Sequence, residues 1–252
     1  MSLSWLKKKP LRIGLGAKRI LVSGTREVQL QAVELQSGDD WRGALGALPE
    51  ILRPHRGSEA SLVLADQFAR YALLQHNDAV RTSEQWLALA RHRFGALHGA
   101  VAADWEVKVT QTAPLGARLA CAVDRELIEQ LAITFVATGV KLVCVQPFLV
   151  AAFNRIRKTV GHGSCWIVVE EPGRLTLALL QRGAWVAIRS RRSDDRWRVV
   201  LPEILERESA FLGLDEPCTR VIVCAQGEFD PEMHEAWRAQ KLSYRDLALA
   251  WE

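Results

Sequence analysis

Apolar and polar residues alternate along three short opening runs, Leu11 to Leu15, Arg19 to Ser23 and Glu27 to Leu35, broken by Gly16-Ala17-Lys18 and Gly24-Thr25. A period of two predicts strands, and connections this short permit only antiparallel hairpins. The pattern then lengthens to the helical period over Trp41 to Leu52, with Asp39 or Asp40 as cap and Pro54 beyond the end. A β-rich run, Ser61 to Ala65, follows. From Thr82 or Ser83 as cap, Trp86, Leu89, Ala90, Phe94 and Leu97 recur at spacings of three and four up to Gly99, which predicts a helix. Strands are predicted at Glu106 to Thr110 and Ala117 to Val123. Asp124 then caps a helix carrying Leu127, Ile128 and Leu131 that ends at Gly139. Val140 to Val145 is a continuous apolar run of strand length, and Pro147 suits the first position of a helix through Arg157.

After Gly161-His162-Gly163 the opening pattern starts again. Cys165 to Glu170, Leu175 to Gln181 and Trp185 to Arg189 read as three strands joined by Pro172-Gly173 and Arg182-Gly183. A helix from about Trp197 to Leu212, a strand Arg220 to Cys224 and a helix Pro231 to Ala239 complete the unit. Both halves thus run three antiparallel strands, helix, strand, helix, which suggests an internal duplication without visible identity. The expected fold class is α/β, an actin-like (ribonuclease H-like) duplicated fold of two lobes, each a mixed sheet with covering helices. Residues 1–10 form a basic N-terminal segment, 11–162 a first lobe with an inserted subdomain, and 163–252 a second, trimmed lobe.

Composition excludes little beyond disorder: 49% of the 252 residues are hydrophobic, 25% are charged, and the formal net charge is +4. That small excess does not imply nucleic acid by itself. The one apolar stretch of membrane length, Leu131 to Phe153, is interrupted by Gly139, Lys141, Gln146 and Pro147, and reads as helix, buried strand, helix. The start, MSLSWLKKKP, lacks the apolar core of a secretory signal. Five cysteines with no C-x-x-C pair point to reduced thiols in a reducing compartment. A cytoplasmic protein with no span of its own is expected.

Short motifs add a resemblance. Leu6-Lys7-Lys8-Lys9-Pro10-Leu11-Arg12-Ile13-Gly14 resembles the opening of the type IV pilus assembly family PilM. Ala120 to Leu127, Gly139 to Leu142, Gln146-Pro147-Phe148 and Ala151-Ala152-Phe153-Asn154 are similar to PilM, to the cytoplasmic domain of the type II secretion family GspL, and to MshI. The resemblance implies a nucleotide cleft between lobes, clasped by the first hairpin turn of each. It also implies recruitment to the inner face of the inner membrane by a PilN-like single-span protein through its cytoplasmic tail. Further contacts with the assembly ATPase or with another copy of the chain are implied.

The residues depart from the family at each clasp. Gly14-Leu15-Gly16-Ala17-Lys18 has Gly16 where the family places an acid; Lys18 is left to touch an anion, the other reading of a lysine before a strand being a solvated turn residue. The second clasp, D-x-G-x-x-x-T, matches Glu170-Glu171-Pro172-Gly173-Arg174-Leu175-Thr176. There Thr176 is retained, Glu170 keeps a carboxylate, and Pro172 removes a backbone donor beside Gly173. Glu170 and Glu171, as strand neighbours, point to opposite faces and cannot share a substrate atom. The adenosine-binding G-G is replaced by Val223-Cys224-Ala225-Gln226-Gly227. A degenerate cleft of Gly14, Gly16, Lys18, Glu170, Gly173 and Thr176 is expected, with no cofactor, no metal and no catalytic residue. The alternative is an ATP- and Mg²⁺-binding ATPase or small-molecule kinase of the same superfamily using Lys18, Glu170 and Thr176.

The remaining candidates are weaker chemistry. Six histidines show no metal spacing, and no nucleophile elbow or Walker motif occurs. Arg189, Arg191, Arg192, Arg196 and Arg198, interrupted by Asp194-Asp195, form the densest basic segment. It lacks the alternating aromatic platforms of an RNA binder; a strand end and loop feeding a helix is the simpler account, and a contact surface for an acidic peptide is the other functional reading. Lys7-Lys8-Lys9 with Trp5 and Leu6 gives only weak membrane attachment. Nine tryptophans against two tyrosines are expected to be chiefly core, with Trp5 and Trp251 as exposed contacts. Trp5, Arg191 and Arg192 are the partner-binding candidates.

Overall fold

A computed structural model describes residues 11–23, 30–34, 40–110, 116–160, 163–194, 196–214, 218–225 and 237–242. The chain divides into two compact units, Met1–Arg70 with Ala103–Glu106 and Ala122–Phe148, and Tyr71–Ala102 with Val107–Cys121 and Leu149–Glu252.

In the first unit, β1 (Leu11–Leu15), β2 (Arg19–Ser23) and β3 (Leu30–Glu34) form the antiparallel triplet. Two further strands, β4 (Glu59–Leu64) and β8 (Lys141–Pro147), add in parallel to give the order β3-β2-β1-β4-β8. Helix α1 (Trp41–Leu52) starts where the Asp40 carboxylate accepts from the Arg42 N–H at 3.0 Å, and buries Trp41, Ala44, Leu48 and Leu52. Helix α3 (Arg125–Thr138) is capped by Asp124 and buries Leu127, Leu131 and Phe135 at spacings of four, each worth about 1.5–3 kcal/mol of apolar burial. The indole N–H of Trp41 donates to Asp124 at 3.3 Å and Arg42 pairs with Glu126 at 2.7 Å, so the two helix starts are tied together. Gly139 ends α3 in the left-handed conformation, φ 70° and ψ 23°. The stretch of membrane length is therefore helix, strand, helix, with α4 (Phe148–Val160) as the last piece. Among the described residues no helix is long and apolar enough to cross a membrane.

A small sheet has the order β5-β7-β6, from β5 (Ala69–Leu74), β6 (Trp105–Val109) and β7 (Arg118–Asp124). Helix α2 (Ser83–His98) opens with a reciprocal capping box: Thr82 Oγ1 accepts from the Gln85 N–H and Gln85 Oε1 accepts from the Thr82 N–H. It buries Trp86, Ala90 and Phe94, with Arg118 stacked 4.5 Å over the Trp86 ring.

In the second unit, β9 (Cys165–Glu171), β10 (Arg174–Gln181), β11 (Ala184–Arg192), β12 (Arg220–Cys224) and β13 (Arg238–Leu242) give the order β11-β10-β9-β12-β13. The duplication inferred from the sequence is thus present as one sheet topology used twice: three antiparallel strands, then two parallel ones. On one face Trp166, Val168, Leu175, Leu177, Leu179, Val221 and Val223 pack against Trp197, Leu201, Ile204 and Leu205 of α5 (Trp197–Phe211). On the other face α4 sets Phe153 4.6 Å from Trp185. Trp41, Trp86, Trp166, Trp185 and Trp197 are all buried, as expected, and the five cysteines are free thiols.

Three boundaries differ from expectation. Arg238 and Ala239, read as a helix end, begin β13 instead, because the parallel register with Arg220 and Val221 overrides local preference; residues 231–236 of that reading lie outside the described set. Pro147 closes β8 rather than opening α4, which an edge strand tolerates. Strand β5 has no counterpart in the sequence reading, since Ala-Arg-Tyr-Ala-Leu-Leu carries no β-branched residue.

Candidate functional site

The first turn is tight. Leu15 and Ile20 are paired, and the Gly16 N–H donates to the Arg19 carbonyl at 2.9 Å, leaving Ala17 and Lys18 as the tip. Ala17 is buried and Lys18 is exposed. Among the described residues only Arg182 combines positive φ with a side chain, so the tip is built without a left-handed residue. A Cβ on Gly16 would lie 3.1 Å from the Arg19 carbonyl oxygen. The backbone donor at Gly16 is thus already engaged, and an acid there would press its carboxylate stem onto a carbonyl. Gly14 lies within β1 opposite Leu21, a strand residue rather than a turn one.

Sequence reasoning passed over Asp66. It follows β4, with Ala65 donating to the Leu15 carbonyl at 2.9 Å and standing 4.0 Å from a Gly16 Cβ, and is only 2% exposed. That is the carboxyl end of the parallel pair β1/β4, the edge at which open α/β sheets bind ligands.

In the second turn, Glu171 pairs with Arg174 across Pro172 and Gly173, and φ of +78° at Gly173 after proline makes a type II turn. The register puts Glu170 opposite Leu175, on the α5 face, and Glu171 on the other face, where it is 7% exposed. Thr176 sits opposite Val169 and Ser190 and is 1% exposed, its hydroxyl without a hydrogen-bond partner among the described residues. The structure brings Glu170 and Thr176 onto one hairpin but onto different faces. Of the adenosine-region motif, Val223, Cys224 and Ala225 are buried in and beside β12; Gln226 and Gly227 lie outside the described residues.

Two of the three partner candidates line a real recess. Arg191 and Arg192, with Leu175, Trp197, Val200 and Ile204, border a cavity of about 360 Å³ at the end of β11 and the start of α5. Trp5, like Trp251, lies outside the described residues.

No family model matches the chain, and no curated protein matches it by sequence. Solved structures do match by fold. The cytoplasmic domain of EpsL, an inner membrane component of the type II secretion system of Vibrio cholerae, superposes with a TM-score of 0.60 at 12% identity, covering 96% of this chain and 92% of that one. A PilM-PilN type IV pilus biogenesis complex gives 0.63 at 10% identity, covering 93% and 88%. A Bacteroides thetaiotaomicron protein with an actin-like ATPase fold and unknown function gives 0.60 at 11%, covering 99% of both. The chain has the actin-like fold, and the likeness carried by its short motifs to PilM and to the type II secretion domain is met again in that fold.

Proposed function

We propose that this chain, built on the actin-like fold of EpsL's cytoplasmic domain and PilM, is a non-catalytic cytoplasmic scaffold in type IV pilus or type II secretion-like assembly. It binds the cytoplasmic tail of a single-span, PilN-like membrane partner, is recruited by it to the inner face of the inner membrane, and contacts the assembly ATPase or a second copy. The observation that carries this reading is near full-length agreement with two such assembly proteins, 96% and 93% of the chain, set beside the state of its own turns. A phosphate clamp needs free backbone N–H groups and an acid to place Mg²⁺. Here the Gly16 N–H is bonded to Arg19, Pro172 has none, and Thr176 is enclosed in the sheet. The state of these residues supports a chain without an ATP clamp, and no chemical step is assigned to them.

Calorimetry on the full chain tests it. The synthetic tail of a candidate single-span partner is expected to bind with micromolar Kd, about −8 kcal/mol, and Mg·ATP to give no heat. Micromolar Mg·ATP binding abolished by Thr176→Ala would sink the scaffold reading.

One observation favours a second reading, retained nucleotide binding. Asp66 places a buried carboxylate at the carboxyl end of β4 beside the first turn, the acid that Gly16 lacks. In that case Mg·ATP binds and Asp66→Asn abolishes it, while the partner tail still binds.

A further inference from the structure

Strand β11 is an edge of its sheet. Among the described residues its outer side is met at a single bridge, Ala117 to Trp185. At the opposite end the ladder parity is fixed by Ser193, whose N–H donates inward to the Gly173 carbonyl at 3.1 Å. Alternate residues Ser190 and Arg192 therefore turn their backbone N–H and C=O groups outward. The 360 Å³ cavity opens beside this stretch. Leu175, Trp197 and Ile204, at 0%, 3% and 5% exposure, close its floor, and the half-buried Val200 is the apolar side chain that opens into it beside Ser193 and Asp194. On its rim stand Arg191, which pairs with Leu175 and shares its face, and Arg192, which pairs with Arg174 and turns to the other face; neither guanidinium meets a carboxylate among the described residues. Asp194, the described acid of the lining, has its Oδ1 accepting from the Arg196 N–H at 3.0 Å at the helix start; Asp195 lies outside the described residues.

We propose that this edge and cavity receive an extended acidic peptide segment of a partner protein. The segment pairs its backbone with Ser190 and Arg192, sets an apolar side chain against Val200 at the cavity mouth, and, its side chains alternating, places one carboxylate on Arg191 and another on Arg192 on the opposite face. Charge complementarity selects the occupant: a basic segment is repelled by the two arginines, and an uncharged one leaves them unpaired. A nucleic-acid strand is disfavoured by the same geometry, because Trp197 is buried and its ring is covered by Arg198 at 4.9 Å, so no base can stack there. The inference deepens the scaffold reading by giving one partner's chemistry, and rests on it only for that partner's place in an assembly.

Fluorescence anisotropy with the full chain tests it, using a labelled short peptide of Asp and Glu with one central Leu. Saturable binding is expected, weakening with salt and falling about tenfold or more in the Arg191→Glu/Arg192→Glu variant. Val200→Trp, which fills the cavity without changing charge, is expected to weaken binding likewise and decides the matter if the charge-reversed protein fails to fold. No saturable binding up to millimolar peptide overturns the proposal. So does equal binding when the Leu becomes Ser, binding unchanged in both variants, or tighter binding of a single-stranded RNA oligonucleotide. Binding of the membrane-partner tail is measured alongside. Its loss in wild type refutes the scaffold reading, whereas its retention in the Arg191→Glu/Arg192→Glu variant leaves that reading standing whatever the acidic peptide does.

Discussion

Thr176→Val separates a residue of a nucleotide clasp from a residue of the core. The threonine is 1% exposed in the central antiparallel ladder, between Val169 and Ser190, and its hydroxyl has no partner among the described residues. A buried hydroxyl left without a hydrogen bond costs about 1–3 kcal/mol. Valine keeps the branched shape and the strand preference and adds a methyl worth roughly 0.8 kcal/mol when buried. Allowing for imperfect packing of that methyl, the variant is expected to be more stable by about 1–2 kcal/mol. For a chain of this size each kcal/mol moves Tm by about 2–4 °C, so scanning calorimetry should show a rise of a few degrees with binding of the membrane-partner tail intact. A fall in Tm would refute the reasoning, because it would mean the hydroxyl is bonded in the folded state. A stabilised variant that had lost Mg·ATP binding present in wild type would return Thr176 to the clasp.

Four other outcomes follow from local geometry and burial. Gly139→Ala places a side chain at φ 70°, with its Cβ 3.0 Å from Cγ of Arg56, and should cost about 1–2 kcal/mol in a urea titration, less to the extent that Arg56 swings aside. Thr82→Ala removes one arm of the capping box and should cost about 1 kcal/mol, seen as faster amide exchange in the first turn of α2. Burial, with a smaller contribution from Cys218, pushes the Cys165 thiol up from 9.0 to about 11. The unfolded chain therefore releases this proton first, so the contribution of Cys165 to stability is whole below pH 9 and declines as pH rises toward 11, and Cys165→Ser should flatten that decline in denaturation curves. Thiol labelling at pH 8 should reach the half-buried Cys121 and Cys144 before Cys165.

The second hairpin triplet was legible because its period of two ends both times in a turn of the right chemistry. Pro172-Gly173 makes a type II turn, and Arg182 with Gly183, at φ 51° and 77°, makes a type I′ turn. Helices α1, α2 and α3 were legible from caps and apolar stripes. Strands β5 and β13 were not, because Ala-Arg-Tyr-Ala-Leu-Leu and Arg-Ala-Gln-Lys-Leu favour helix locally and become strands only through pairing with distant segments. The site was legible in the same uneven way. Arg191 and Arg192 stand out as a charge cluster, but the apolar floor beside them comes from Leu175 and Ile204, one strand back and one helix on. Asp66 carries no signal in the sequence, since a lone acid after a strand reads as a solvated turn; its enclosure is entirely tertiary.

One edge of each five-stranded sheet is protected by a different means. The edge at β8 is blunted by shape, with a register shift beside Val143 and Pro147 at its end, so a sixth strand has no regular ladder to join. The longer β11 ends on Arg189, Ser190, Arg191 and Arg192 and keeps its regular pairing there. Its guard is mutual repulsion between copies. Shape survives any buffer, whereas repulsion fades with ionic strength and is cancelled by polyanions. Concentrated solutions of this protein should therefore self-associate on addition of salt rather than dissolve, and the copies should join through β11.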